Sequence, residues 1–218
     1  TTTVLLRGAN ANQTLVLVDG LRASALSNGE FDWNSIAPNQ INRIEVVRGP
    51  LASLYGSDAI AGVIQIFTNR FQPGYALEQT LGSYGTRKSR AEFSGGEEWK
   101  YAISAGTTHT DGLQNLINNP KKYSFDQNSA NLAMARQVDG NRQLKFNFNQ
   151  NESKSALDRG PSNSSSFNRS FDYESRVNDN WSYSVKVGWM GTDFEVPFEM
   201  PPGLFKTDRK SLALSHLF

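Results

Sequence analysis

A strict two-residue alternation through the last two thirds of the chain most constrains what it can fold into. "WSYSVKVGWMG" (181–191) shows it best. Trp181, Tyr183, Val185, Val187 and Trp189 share one face, and Ser182, Ser184, Lys186 and Gly188 the other, because successive side chains of a strand point to opposite sides. The apolar face has aromatics at its ends and aliphatics in its middle. That is the order of a lipid-facing band between two interfacial girdles. "WKYAISAGTTH" repeats the scheme, with Trp99, Tyr101, Ile103 and Ala105 against Lys100, Ala102, Ser104 and Gly106. "LKFNFNQN" sets Leu144, Phe146 and Phe148 against Lys145, Asn147 and Asn149. A soluble β-sandwich also alternates, and the polar mean hydropathy of −0.51 would suit one. A membrane barrel has a polar average too, since half of each strand faces the lumen.

The connections separate these alternatives. Alternating runs are expected near Tyr75–Ser83, Lys88–Gly95, Trp99–His109, Gln127–Val138, Arg142–Asn151, Phe167–Val177, Trp181–Asp193 and Thr207–Phe218. After a short first link, "SYGTR", tight turns ("GEE", "DGN", "ND") alternate with long connections ("TDGLQNLINNPKKYSF", "ESKSALDRGPSNSSS", "FEVPFEMPPGLFK"). Outer-membrane barrels keep short turns on the periplasmic side and long loops outside; a sandwich has no reason to. The expected fold is mainly β: a transmembrane antiparallel β-barrel, partial at about eight strands, behind an N-terminal α+β domain. An eight-stranded barrel is filled by its own side chains, so it could not also enclose the first 70 residues. Either that segment lies outside a small barrel or the strands belong to a larger one.

Residues 1–70 read differently. "TLVLVDG" (14–20), "INRIEVVRGP" (41–50) and "AGVIQIFTN" (61–69) are short β-rich runs, and "LASLYGSDA" offers one helical turn. Gly and Ala crowd the links between them, which suits close backbone packing.

Several functions are excluded. There is no cysteine and the net charge is +1, so neither thiolate metal sites nor a nucleic-acid footprint is expected. No apolar run is long enough for a transmembrane helix, and the opening "TTTVLLRGAN" has no signal-peptide pattern. His109 and His216 are the only histidines. Ser53 and Ser57 lie near Asp58 without a nucleophile elbow, and "RGPLASLYGS" lacks the Lys of a phosphate loop. Neither enzymatic activity nor a bound cofactor or metal is expected.

Three linked segments, "LLRGANANQTLVLVDGLR", "INRIEVVRGP" and "LYGSDAIAGVIQIFTNR", resemble the second half of the plug domain of TonB-dependent outer-membrane receptors over residues 4–70. Asn42, Ala61 and Gln65 depart from the family's usual Glu, Gly and Asn. The wording is nearest the vitamin B12 (cobalamin) branch. That branch binds calcium through clustered aspartates, whereas the loops here hold only scattered acids such as Asp111 and Asp158; this weighs against cobalamin.

The resemblance implies a plug (1–70) followed by the first strands (71–218) of a large plugged barrel. It implies uptake of a scarce nutrient of the siderophore, heme or cobalamin class across a Gram-negative outer membrane. The expected partners are the energy transducer TonB, whose box this chain lacks, the nutrient ligand and outer-membrane lipid. The family pattern gives Arg7 and Arg48 a role in locking plug to barrel, through partners in later strands; solvated arginines are the plainer reading. It matches the Ala23–Trp33 loop to an apical substrate loop, with Ser24, Asn28, Phe31 and Trp33 as candidate contacts. An ordinary turn with its aromatics packed beneath is the alternative. Phe198, Met200 and Phe205 form a second apolar candidate. A passive porin-like barrel or a soluble β-rich binding module stands as the other functional class.

Overall fold

The computed structural model describes residues 3–6, 8–23, 29–49, 55, 59–68, 71–113, 122–157, 160–196 and 203–217. The N-terminal segment forms a four-stranded sheet in the order β2-β1-β4-β3. Its strands are β1 (Thr14–Val18), β2 (Leu21–Arg22), β3 (Arg43–Arg48) and β4 (Gly62–Phe67). β1 runs parallel to β4, and β2 and β3 flank them antiparallel. β1 is apolar at four of its five positions because both its faces are covered. Val16, Val18, Ile64 and Ile66 pack on one side with Phe31 and Ile36, while Leu15, Leu17, Ala59 and Val63 pack on the other. Asp19 and Gly20 both take positive φ (49° and 79°). They close β1 onto β2 as the two-residue turn an Asp-Gly pair favours.

Eight further strands form one antiparallel sheet in strict sequence order: β5 (Gly74–Leu81), β6 (Arg87–Gly95), β7 (Trp99–Thr110), β8 (Phe125–Gln137), β9 (Arg142–Leu157), β10 (Gly160–Asn178), β11 (Trp181–Val196) and β12 (Gly203–Leu217). β5 and β12 are its two edges. Most of these strands exceed the 9–11 residues a tilted strand needs to cross a bilayer. The sheet curves round the N-terminal domain. Its outward face carries the apolar residues, with Ile103, Phe146, Phe171, Val187 and Leu212 exposed, while its inward face buries Ser and Asn.

Two expected long connections prove to be strand over their described residues. "ESKSALDRGPSNSSS" is the tall end of the β9–β10 hairpin, paired out to Gly160↔Leu157. Its Ser and Asn residues suggest a loop, but every second one lies on the plug-facing side, where small polar groups are required. Likewise β11 runs to Val196 and β12 starts at Gly203. The helical turn expected near "LASLYGSDA" lies outside the described residues except for a helical Tyr55.

Glycine on the inward face lets the two domains touch. A Cβ on Gly188 would lie 2.3 and 2.5 Å from the Leu21 methyls, and Leu21 is buried. Gly188→Val should therefore weaken docking of the N-terminal domain by roughly 1–3 kcal/mol, and Leu21→Ala in the same chain should recover most of the loss. The readout is the urea concentration at which residues 14–22 become protease-sensitive.

Candidate functional site

The region where the N-terminal domain meets the sheet is polar, buried and specific. Its centre is Asp19. The β1–β2 turn pushes this residue into the wall, where it is 6% exposed. One carboxylate oxygen accepts from the Thr68 backbone N–H at 2.9 Å. The other accepts from the Thr68 hydroxyl at 2.7 Å and from Asn149 Nδ2 at 3.2 Å. Asn131 donates to Thr68 Oγ1 at 3.1 Å and also to Asn149. The backbone carbonyl of Asp19 accepts from Lys186 Nζ at 2.5 Å, and the same ammonium pairs with Asp172 at 3.1 Å. Four wall strands, β8 to β11, thus converge on this turn and the Thr68 bound to it. Gly20 is required there, since a Cβ would lie 2.6 Å from Lys186 Nζ at a φ that disfavours side chains.

A second set of bonds lies toward the long-connection end. The 3₁₀ turn Trp33–Ser35 is capped by Asp32, whose side chain accepts from Asn34 N at 3.0 Å. Its exposed carbonyls are taken up by the wall. Asn151 Nδ2 and Gln127 Nε2 donate to Asn34 O at 2.6 and 3.3 Å, and Ser166 donates to Ser35 O at 2.6 Å. Ser164 donates to Asp32 at 3.1 Å. Gln40, itself buried, donates to the strand carbonyls of Ala130 and Gln150 at 3.0 and 3.1 Å. Buried polar groups cost stability unless paired, so the inward Ser and Asn rows and the plug's turns are complementary surfaces.

Beside this contact is a cavity of about 670 Å³ between the plug and β5–β8, lined by Trp33, Ile36 and Pro38 on one side and by Glu78, Lys88 and Arg90 on the other. Its lining extends to Thr86, Thr110 and Phe125, at the long-connection end. Of the residues expected to meet substrate, only Trp33 borders it. Phe31 is turned into the plug core, edge-on to Trp33 at 5.0 Å, and Ser24 and Asn28 lie outside the described residues. So do Arg7, Phe198 and Met200. Phe205 pairs with Phe194 across β11 and β12, with ring centroids 6.4 Å apart. Arg48 ends β3, whose six residues are all exposed, on the plug edge away from β1; it makes no ion pair among the described residues. The locking residues that this wall does engage, Asp19 and Lys186, were not picked out by sequence reasoning. The available signal was an aspartate ending an apolar strand, and a lysine on the polar face of "WSYSVKVGWMG".

A β-wall, apolar outside and polar inside, wrapped on a separately folded domain, defines a plugged transmembrane β-barrel. Residues 1–63 match the TonB-dependent Receptor Plug Domain family, so the chain carries a plug domain of the TonB-dependent receptors followed by strands of the receptor barrel. The vitamin B12 transporter BtuB of Vibrio cholerae is 35% identical over 144 residues, covering 62% of this chain and 24% of that protein. Two solved structures share the fold. The ferric enterobactin receptor PfeA of Pseudomonas aeruginosa has a TM-score of 0.72 at 17% identity, covering 95% of this chain and 39% of that one. The copper transporter OprC has a TM-score of 0.77 at 15% identity, covering 97% and 36%. The chain spans about a quarter of the length of the curated relatives it matches.

Two predictions follow from Asp19 and Lys186. Lys186→Met removes the partner of a buried carboxylate and should weaken plug docking by about 1–3 kcal/mol, with Asp172→Leu in the same chain recovering much of it; protease protection of residues 14–22 reads both. Burial holds the Asp19 carboxyl above its ordinary value of 3.8, against the opposing pull of Thr68, Asn149 and Lys186. A docked plug therefore binds this proton more tightly than a released one. The stabilisation is complete below about pH 3.8 and is lost as pH rises through the raised value. Protection of residues 14–22 should fall as pH rises from 3.8 through the raised value, and Asp19→Asn should flatten the dependence.

Proposed function

We propose that this chain supplies the plug and first barrel strands of an energised outer-membrane importer for a scarce nutrient of the siderophore, heme or cobalamin class. The observation that carries this reading is the buried, hydrogen-bonded contact between plug and wall. A passive pore has no use for a folded domain seated in its lumen by directional hydrogen bonds. A soluble module would not leave Phe171, Val187 and Leu212 bare on one face. Hydrogen bonds suit a gate because they can be exchanged for water as the plug moves, at a net cost of about 1 kcal/mol each. An apolar contact would hold shut far more stubbornly.

In this reading the ligand enters from the long-connection side and reaches the cavity beside Trp33. Glu78, Lys88 and Arg90 there offer charged contacts to a polar ligand. Force from the transducer TonB, applied through the plug, loosens the bonds around Asp19 and opens a path. Relatives whose names specify vitamin B12, ferric enterobactin and copper support a metal-containing cargo, with the vitamin B12 transporter the more similar in sequence.

The test is uptake of radiolabelled cyanocobalamin, ferric enterobactin and hemin by cells lacking their own receptors and expressing the full-length protein. One ligand should accumulate, and accumulation should stop when a protonophore collapses the proton gradient. Uptake that persists without the gradient would instead support a passive barrel. Trp33→Ala should raise the half-saturating concentration of the transported ligand severalfold.

A further inference from the structure

The outward face carries a second built feature. Cross-strand pairing places Phe148, Arg169, Trp189 and Lys210 in one row over β9, β10, β11 and β12. The row beneath it, Phe146, Phe171, Val187 and Leu212, is wholly apolar. Trp189 closes the apolar stripe of β11 on the long-connection side. The row of alternating aromatic and cation therefore lies where the hydrocarbon ends and the outer headgroups begin.

Arg169 is held there. Its guanidinium carbon lies 5.1 Å from the ring centroids of both Phe167 and Trp189 and 5.5 Å from that of Phe148. Lys210 Nζ lies 5.9 Å from the Trp189 centroid. Neither cation makes an ion pair among the described residues. The nearby carboxylates are otherwise engaged: Asp208 accepts from Trp189 Nε1 at 2.6 Å, and Asp193 pairs with Lys206 at 3.2 Å. A guanidinium stacked on rings keeps its fork of donors free and pre-oriented, and that fork matches phosphate oxygens. An aromatic bed beneath it fits the acyl or sugar part of the same molecule.

We propose that Arg169 and Lys210, converging on Trp189, form a binding site for the phosphate-bearing headgroup of an outer-leaflet lipid. The proposal rests on the membrane-barrel reading of the sheet. A comparable pair on the same face provides an internal control. Arg136 stacks on Trp99 at 5.1 Å, but it does so at the short-turn end, against the opposite leaflet, with one ring and, among the described residues, no second cation over that ring.

The experiment is native mass spectrometry of the full-length protein in detergent, titrated with diphosphoryl lipid A and with the same lipid stripped of its phosphates. Folding is verified for each sample by heat-modifiable gel migration. The wild type should bind the phosphorylated lipid about tenfold more tightly than the stripped one, the size of a charge-assisted hydrogen bond. The double variant Arg169→Gln, Lys210→Gln should lose that preference, Arg169→Lys should keep part of it, and Arg136→Gln should keep it all. A folded wild type with no phosphate preference overturns this proposal alone, as does an equal loss in Arg136→Gln. A wild type with no heat-modifiable folded band overturns the barrel reading and this proposal with it.

Discussion

The bonding around Asp19 is what the rest of the structure depends on. A two-residue turn with positive φ at both positions presents a carboxylate and a carbonyl together. Four wall strands answer with Asn131, Asn149, Asp172 and Lys186. The wall must be lined with small polar residues for this to happen, and so each barrel strand alternates as it does. The outer face is then free to be apolar. One requirement, a plug held by groups that water can replace, sets the composition of both surfaces of the sheet.

The inner face also shows why the chain reads as polar overall. Asn147, Asn149, Asn151 and Asn168 are all buried, although asparagine is seldom an interior residue. Three of them offer their side-chain amides to the plug, Asn149 to the Asp19 carboxylate, Asn151 to Asn34 O and Asn168 to Val18 O, while Asn147 donates to Ser170 within the wall. Asn34 O alone takes two such donors. The wall caps the plug's 3₁₀ turn much as a helix cap satisfies the end of a helix.

Much of this was legible in the sequence. The period of two in β7, β9 and β11 identified lipid and lumen faces correctly, and the linked plug motifs identified the family. The tall end of the β9–β10 hairpin, beyond Asn151 and before Phe167, was not legible as strand. Ser and Asn favour turns locally, and tertiary context overrides that preference where a polar face is wanted. Nor could the sequence say which polar residues on the lumen face would be dry. Lys186 and Ser184 look alike on paper, yet only Lys186 reaches Asp19. Phe31 and Trp33 look alike too, and packing sends one into the core and leaves the other beside the cavity.

The path from β4 into β5 also limits how the plug can travel. Thr68, at the end of β4, is bound to Asp19, and β5 begins at Gly74. Six residue steps of fully extended chain reach roughly 20 Å, against about 60 Å for the 19 residues of β10. The last plug strand is on a leash about a third as long as the wall beside it. It can swing or unravel from its free edge at β3, but it cannot be drawn clear of the barrel. Any displacement of the plug must then be a local remodelling that rewinds onto the same tether, with its closing template still attached.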